Sequence, residues 1–168
     1  MTWRGLDEWR AEAAEVEFLE EGGVSVRGVQ LAAAYRADYS LHTDAGWNTM
    51  RFDVRCVDAD GAVSHLELMP RDLGEDVVDV DLAFSPLTNL MPVRRSGLAA
   101  EPGAVDIVTA WVSLPGLEVN RSQQRYEHVR PRTVRYVDRG VHEGFKAELD
   151  VDDDGLIVRY LGLAERAS

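Results

Sequence analysis

Alternation of apolar and polar residues, from Val24 onward, is the feature that most constrains the fold of this chain. Successive side chains of a β-strand point to opposite faces, so a strand that is half exposed to water must alternate in this way. Clear examples are the stretches Tyr35–Leu41, Met50–Cys56 and Phe145–Val151. The pattern therefore predicts a chain built almost entirely of strands.

Turn residues separate these strands at regular intervals. The cluster Asp58–Gly61 leads from Met50–Cys56 into His65–Leu68, which predicts a β-hairpin. A second hairpin is predicted where Asp152–Gly155 precedes Leu156–Tyr160. Further strands are predicted at Val78–Phe84, Ile107–Leu114, Gln123–Val129 and Thr133–Val137.

Helical signals are few. The segment Asp7–Glu17 has helix-forming composition but only a weak amphipathic pattern. Ser85 stands where it would cap one short helical turn begun by Pro86. Ile107–Leu114 is apolar on both faces apart from two hydroxyl residues, so we expect a strand covered on both sides.

The order of these elements predicts the fold class. Roughly ten strands without helical crossovers favour an antiparallel meander. A sheet of that size curls, and closing or half closing it removes exposed edges and encloses a cavity. We therefore expect a mainly β, strongly curved antiparallel sheet, a barrel or half-barrel with little helix, formed by residues 1–168 as a single domain.

The charge of the chain limits its partners. With 30 acidic and 18 basic residues the net charge is −12, which repels nucleic-acid backbones and anionic membrane surfaces. The stretch Met1–Glu8 is unlike a signal peptide, and no apolar run reaches the roughly 18 residues that span a bilayer. A single cysteine, Cys56, excludes an internal disulfide. We expect a cytoplasmic protein with neither a nucleic-acid partner nor stable membrane insertion, and a homodimer is possible.

Patterns for catalysis and metal binding are weak. There is no Gly-x-Ser-x-Gly elbow, and Cys56 shares the strand face of Phe52 and Val54, as a core residue would. Asp150–Gly155 begins like a calcium loop, but its twelfth position is Leu161 and its flanks alternate as strands. We expect no catalytic residue, no metal and no cofactor, although a small hydrolase using cavity carboxylates stays open. The histidines are scattered singly, at His42, His65, His128 and His142.

Polar residues that suit ligand binding concentrate around one strand and the segment after it. Asp79 and Asp81 project from one strand face, where they either meet solvent or bond sugar hydroxyls. The segment Ser85–Arg95 places Thr88 and Asn89 between two prolines, directly before two arginines. Those arginines either offset the local acidity or bind a ligand. The aromatic candidates, each either core or ligand platform, are Trp47, Trp111, Tyr126 and Tyr160.

The segment that begins with Asp81-Leu82 and continues through Ser85–Arg95 resembles the signature of the "putative glycolipid-binding" family of bacterial proteins. Three further blocks also resemble the family, so the likeness covers nearly the whole chain: Trp3–Leu6, Gln124–Tyr126 and Asp152–Tyr160. The sequence departs from the family pattern at Ser85, where threonine is usual, and at Leu161, where proline is usual. It also lacks the tryptophan often found before the signature strand.

The resemblance implies a curved antiparallel sheet around an apolar groove, and non-enzymatic binding of a glycolipid or fatty-acyl compound. We expect an acyl chain in the concave face, with Asp81, Asn89, Arg94 and Arg95 bonding the polar head. The alternative is a protein-interaction module whose signature residues only hold the turn together. The expected ligand-binding residues are the signature positions Asp81, Thr88, Asn89, Arg94, Arg95, Gln124 and Tyr126, with Trp111 and Tyr160.

Overall fold

The computed structural model describes residues 1–167, and all its strands belong to one sheet. The α-helix α1 spans Leu90–Ser96 and follows a 3₁₀ turn at Leu87–Asn89, and another 3₁₀ turn lies at Pro70–Leu73. The strands are β1 Thr2–Gly5, β2 Arg10–Phe18, β3 Val24–Ala32, β4 Tyr35–Thr43, β5 Thr49–Asp58, β6 Val63–Leu68, β7 Val77–Leu82, β8 Ala104–Val112, β9 Val119–Arg130, β10 Thr133–Asp138, β11 Lys146–Val151, β12 Ile157–Tyr160 and β13 Ala164–Arg166.

The sheet is curved but open. Its strand order is β6-β5-β4-β3-β2-β1-β13-β12-β11-β10-β9-β8-β7, and β5 contacts β7 from the opposite end. Within residues 1–167, however, no hydrogen-bonded ladder joins the edge strands β6 and β7. The predicted mainly β class and strong curvature are confirmed, whereas closure into a barrel is not observed.

Alternation places side chains as the sequence predicted. On β4 the buried positions are every second residue, from Tyr35 through Tyr39 to Thr43. The two predicted hairpins are present, and each turn is closed by an aspartate. The carboxylate of Asp58 accepts the N–H groups of Asp60 and Ala62, and Asp152 accepts those of Asp154 and Leu156.

The amino-terminal segment forms a strand where composition gave a weak helical signal. β2 pairs with β1 and, along its whole length, with β3. Its buried positions include Arg10 and Glu12, so polar residues face inward where alternation normally places apolar ones. Tertiary pairing thus overrides local composition here, and the inward charges hide the strand pattern.

One strand pair is parallel, which corrects the prediction of an entirely antiparallel meander without helical crossovers. β7 and β8 run in the same direction, with Asp81 opposite Trp111. A parallel pair needs a long connection, and the residues between these strands provide one that contains α1. The Ser85–Arg95 segment is therefore the crossover.

The crossover lies inside the curved sheet. Residues 85–93 are all buried, and we call Ala83–Leu98 the inner segment. Its residues Leu87, Leu90 and Met91 join an apolar cluster formed with β1 to β8. Val93 and Leu98 join a second cluster formed with β9 to β12. The inner segment thus fills much of the concave space that the sequence analysis assigned to an acyl chain.

A largely buried ion pair anchors the carboxy-terminal end of the inner segment, which we call its far end. Arg95 donates to both carboxylate oxygens of Asp79, at 2.8 and 2.5 Å, and to the carbonyl of Trp47 at 3.1 Å. Val80 and Leu82 pack on the opposite face of β7, so this strand is covered on both sides. β8 is less covered than Ile107–Leu114 was predicted to be, because Ile107 and Trp111 are only partly buried.

A buried polar cluster anchors the amino-terminal end of the inner segment, its near end. Ser85 Oγ donates to Glu12 Oε1 at 2.6 Å, and Tyr39 donates to the same oxygen. Gln30 Nε2 donates to the carbonyl of Ala83 at 3.2 Å. The predicted capping role of Ser85 is wrong, since its hydroxyl bonds a strand residue and the 3₁₀ turn has no side-chain cap.

Glu12 is unusual because its second carboxylate oxygen, Oε2, is buried without a hydrogen-bond partner. Burial is the main cause that raises the pKa of Glu12 from 4.5 to about 7, although bonds from Ser85 and Tyr39 oppose the shift. Near neutral pH a proton on this carboxyl is therefore favoured by the fold.

No helix within residues 1–167 is long and apolar enough to cross a bilayer.

Glu12→Gln tests the protonation of this side chain. A raised folded-state pKa gives stability that is present below pH 4.5 and lost as the pH rises through about 7. Across that window the wild type should lose about 3 kcal/mol relative to the variant, measured by urea unfolding at a series of pH values. Glu15→Gln, at an exposed position of the same strand, is the control. Parallel pH profiles for wild type and Glu12→Gln would show that Glu12 has an ordinary pKa.

Candidate functional site

A cavity of about 380 Å³ opens beside the start of the inner segment. Its buried lining residues include the polar side chains of Ser85, Asn89 and Asp138. Phe84 and Phe145 also line it and are 41% and 45% exposed, so aromatic groups stand at its mouth. Other lining residues are Asp7, Asp81, Ala83, Trp111, Ser113, Leu114, Tyr136, His142, Tyr160 and Leu163.

The parallel strand pair explains why these residues meet. Asp81 and Trp111 lie opposite each other near the carboxyl ends of β7 and β8, which share one edge of the sheet. On the far wall, Asp138 ends β10 opposite Gln124 of β9. Gln124 in turn donates to Asp81, which links the two walls.

Asp81 is held by two neutral donors. Gln124 Nε2 donates to Oδ2 at 2.5 Å, and Thr88 Oγ1 donates to Oδ1 at 3.2 Å. Burial raises the pKa of Asp81 from 3.8 to about 6, with the nearby charge of Asp138 adding to the shift. Each carboxylate oxygen has further acceptor capacity, so Asp81 can accept a ligand hydroxyl while these bonds hold it.

Asn89 lines the cavity but uses both ends of its amide within the protein. Its Oδ1 accepts the hydroxyl of Tyr126 at 2.9 Å, and its Nδ2 donates to the carbonyls of Ser85 and Pro86 at 3.4 and 3.3 Å. Thr88, Gln124 and Tyr126 are buried and are not among the cavity-lining residues. These three side chains therefore lie behind the cavity and position Asp81 and Asn89.

A second carboxylate, Asp138, was not predicted from the sequence. Its Oδ2 accepts the Tyr136 hydroxyl at 3.1 Å, and its Oδ1 accepts the N–H of Gly140 at 2.7 Å. His142 Nδ1 lies 3.6 Å from the same Oδ2, and its ring meets Trp111 edge-on at 5.2 Å between centroids. The cavity thus holds the half-buried carboxylate of Asp81, the buried carboxylate of Asp138 and one imidazole.

The two predicted arginines lie elsewhere. The guanidinium of Arg94 is exposed and sits 4.9 Å above the ring of Trp47. Arg95 is bound to Asp79, and neither arginine lines the cavity. The structure brings Asp81, Asn89, Trp111 and Tyr160 together at the cavity, but not Arg94 or Arg95. A ligand-binding role for any of them stays a prediction.

Phe84, Asp138, His142 and Phe145 were not predicted as site residues, and all four lie at strand ends or in the turns between strands. Phe84 has a left-handed backbone conformation, with φ of 65°, which no pattern in the sequence announces. Asp138 and His142 meet only because the chain turns back after β10. Within residues 1–167, no three His, Cys, Asp or Glu side chains are grouped so that they could hold a metal ion.

Comparison with known proteins identifies the family. The sequence profile of the family described as "Putative glycolipid-binding" matches residues 1–166. The chain belongs to this glycolipid-binding family. A crystal structure of a DUF1089-family protein from Pseudomonas aeruginosa has the same fold, with a TM-score of 0.75 and 25% sequence identity. The match covers 98% of this chain and 95% of that one. None of the curated proteins matches the chain.

Membership of the glycolipid-binding family confirms the resemblance drawn from the four sequence blocks. Within this structure, the signature residues divide into two groups. Asp81 and Asn89 reach the cavity, whereas Thr88, Gln124, Tyr126 and Arg95 hold other residues in place. Sequence similarity alone does not separate these groups.

Arg95→Ala and Arg94→Ala test this division. Removing Arg95 leaves the buried carboxylate of Asp79 without its partner, which should lower the free energy of unfolding by about 3 kcal/mol. Removing Arg94, which is exposed and stacks on Trp47, should cost about 1 kcal/mol or less. Urea denaturation measures both. Equal losses in the two variants would contradict the anchoring role of Arg95.

Proposed function

We propose that residues 1–168 act as one domain that binds the neutral, hydroxyl-rich head of a glycolipid in this cavity, without chemical turnover. One observation carries the proposal. The cavity combines aromatic walls with the half-buried carboxylate of Asp81 and the buried carboxylate of Asp138, and its lining within residues 1–167 contains no lysine or arginine.

This composition suits a sugar. Carboxylates accept hydrogen bonds from hydroxyl groups, and such charge-assisted bonds are stronger than neutral ones. Aromatic rings such as Trp111 and Tyr160 offer flat apolar surface for the carbon faces of a sugar ring. A phosphate or carboxylate head would meet three acidic lining residues, Asp7, Asp81 and Asp138, and no lining guanidinium, so the cavity disfavours an anionic head.

The size of the cavity indicates how much of the ligand enters. At about 380 Å³ it is near the lower end of the roughly 300–1,000 Å³ typical of ligand pockets. That volume suits a sugar head. The inner segment occupies the concave space where the sequence analysis placed an acyl chain, so we now assign the cavity to the head and not to the chain.

The proposal gives all but one of the predicted site residues a role. Asp81 and Asp138 accept sugar hydroxyls, and Trp111 and Tyr160 form the walls. Asn89 shapes the cavity beside them. The supporting residues are Thr88, Gln124 and Tyr126 behind the cavity and Arg95 at the far end of the inner segment, whereas the exposed Arg94 takes no part in the site.

A second candidate function is hydrolysis of a glycosidic bond. It is favoured by the pairing of Asp81, whose pKa is raised to about 6, with a second buried carboxylate in the same cavity. Two carboxylates in different environments are the usual arrangement for general acid and general base. Because both oxygens of Asp81 accept bonds from neutral donors, simple binding is the better supported function.

Calorimetric titration with octyl β-glucoside below its micelle concentration tests the proposal. Wild type should bind. Trp111→Ala should weaken binding by about tenfold, and Asp138→Asn should weaken it by about tenfold or more. Arg94→Ala is the control and should bind as wild type does. Absence of binding by the wild type to any neutral glycoside, or full binding by both cavity variants, would refute the proposal. Release of free glucose would favour the hydrolase.

A further inference from the structure

Several exposed apolar residues lie at the mouth of the cavity or close to its lining residues in the sequence. Of thirteen large apolar residues that are exposed, Phe84 and Phe145 line the cavity directly. Five more are within two positions of a lining residue in the sequence: Leu6, Trp9, Val141, Val158 and Leu161. Exposed apolar residues scattered singly are ordinary, but a cluster around a binding cavity marks an interaction surface.

Contacts hold this rim in place. The N–H of Leu6 donates to the carbonyl of Leu163, a lining residue, at 2.9 Å. Arg10 stacks its guanidinium 4.3 Å from the ring centre of Phe84. Trp9 precedes Arg10 and is 68% exposed, the largest value among these residues. The amino-terminal loop therefore belongs to the mouth of the cavity.

Charge at the rim is partly compensated. Arg10 pairs with Asp7 at 2.7 Å and with Glu8 at 2.5 Å, so two acidic groups beside the apolar residues have a cationic partner. The chain as a whole still has a net charge of −12. Such a protein approaches a neutral surface more readily than an anionic one.

The volume of the cavity determines where the lipid chains go. About 380 Å³ corresponds to about a dozen water molecules at roughly 30 Å³ each. Once a sugar occupies that space, no room remains for a pair of acyl chains. The chains of a bound glycolipid must leave through the mouth, past Phe84 and Phe145.

We propose that the rim docks onto the surface of a neutral lipid bilayer, so that the sugar head enters the cavity while the acyl chains stay in the membrane. This inference rests on the proposed function and names the partner of the same site. Exposed tryptophan, phenylalanine and leucine side chains enter the boundary between headgroups and chains, which stabilises peripheral binding without insertion. The protein then recognises a glycolipid in place and does not carry it through water.

Co-sedimentation with vesicles tests the docking. Phosphatidylcholine vesicles that contain a neutral glycosyl diacylglycerol should bind the wild type. Trp9→Ser and Leu6→Ser, neither of which lines the cavity, should each weaken binding by about tenfold, because each removes apolar surface that the bilayer would cover. Val63→Ser, at an exposed residue of the edge strand β6, is the matched control. Replacing part of the phosphatidylcholine by anionic phosphatidylglycerol should also weaken binding.

The outcomes separate this inference from the proposed function. If the rim variants still bind octyl β-glucoside as wild type does but bind vesicles more weakly, the docking is supported. If wild type and rim variants bind vesicles equally, or if wild type binds octyl β-glucoside but not vesicles, the docking is overturned and the sugar site stands. Recovery of glycolipid with the protein in the vesicle-free supernatant would also overturn it, in favour of a carrier.

Discussion

The crossover between the parallel strands β7 and β8 runs through the inside of the curved sheet, and the rest of the structure depends on this placement. It is held at one end by the ion pair of Arg95 with Asp79, and at the other by the bond from Ser85 to Glu12. Between these anchors, residues 85–93 are all buried. The cavity is the space left where the crossover enters, so its size and lining follow from how the inner segment is fixed.

This arrangement also decides the chemistry of the site. Of the two cations of the signature segment, Arg95 holds helix α1 and Arg94 lies exposed over Trp47, while carboxylates and aromatic rings line the cavity. The buried groups behind the cavity are satisfied by one another, as the bonds from Gln124 to Asp81 and from Tyr126 to Asn89 show. A hydroxyl-rich ligand adds to such a network, because each carboxylate oxygen can accept more than one bond.

The sequence predicted much of the fold because alternation is a local consequence of strand geometry. The hairpins closed by Asp58 and Asp152 were correct for the same reason. The prediction from the sequence failed at β2, where Arg10 and Glu12 point inward. It also failed at the crossover, because the pairing of β7 with β8 is a tertiary property. Part of the cavity was similarly hidden: Asp138, at the end of β10, meets His142 through a turn that no local pattern indicates.

The central claim is that the cavity beside Asp81 and Trp111 receives a neutral sugar. The indole N–H groups of the four tryptophans are natural reporters, because Trp111 lines the cavity, Trp3 is buried against the carbonyl of Ile157, and Trp47 lies beside Arg94. In a heteronuclear NMR titration with octyl β-glucoside, the signal of Trp111 should shift while those of Trp3 and Trp47 stay in place. A shift of the Trp47 signal with the Trp111 signal unchanged would contradict this claim and would favour a ligand site at the arginines.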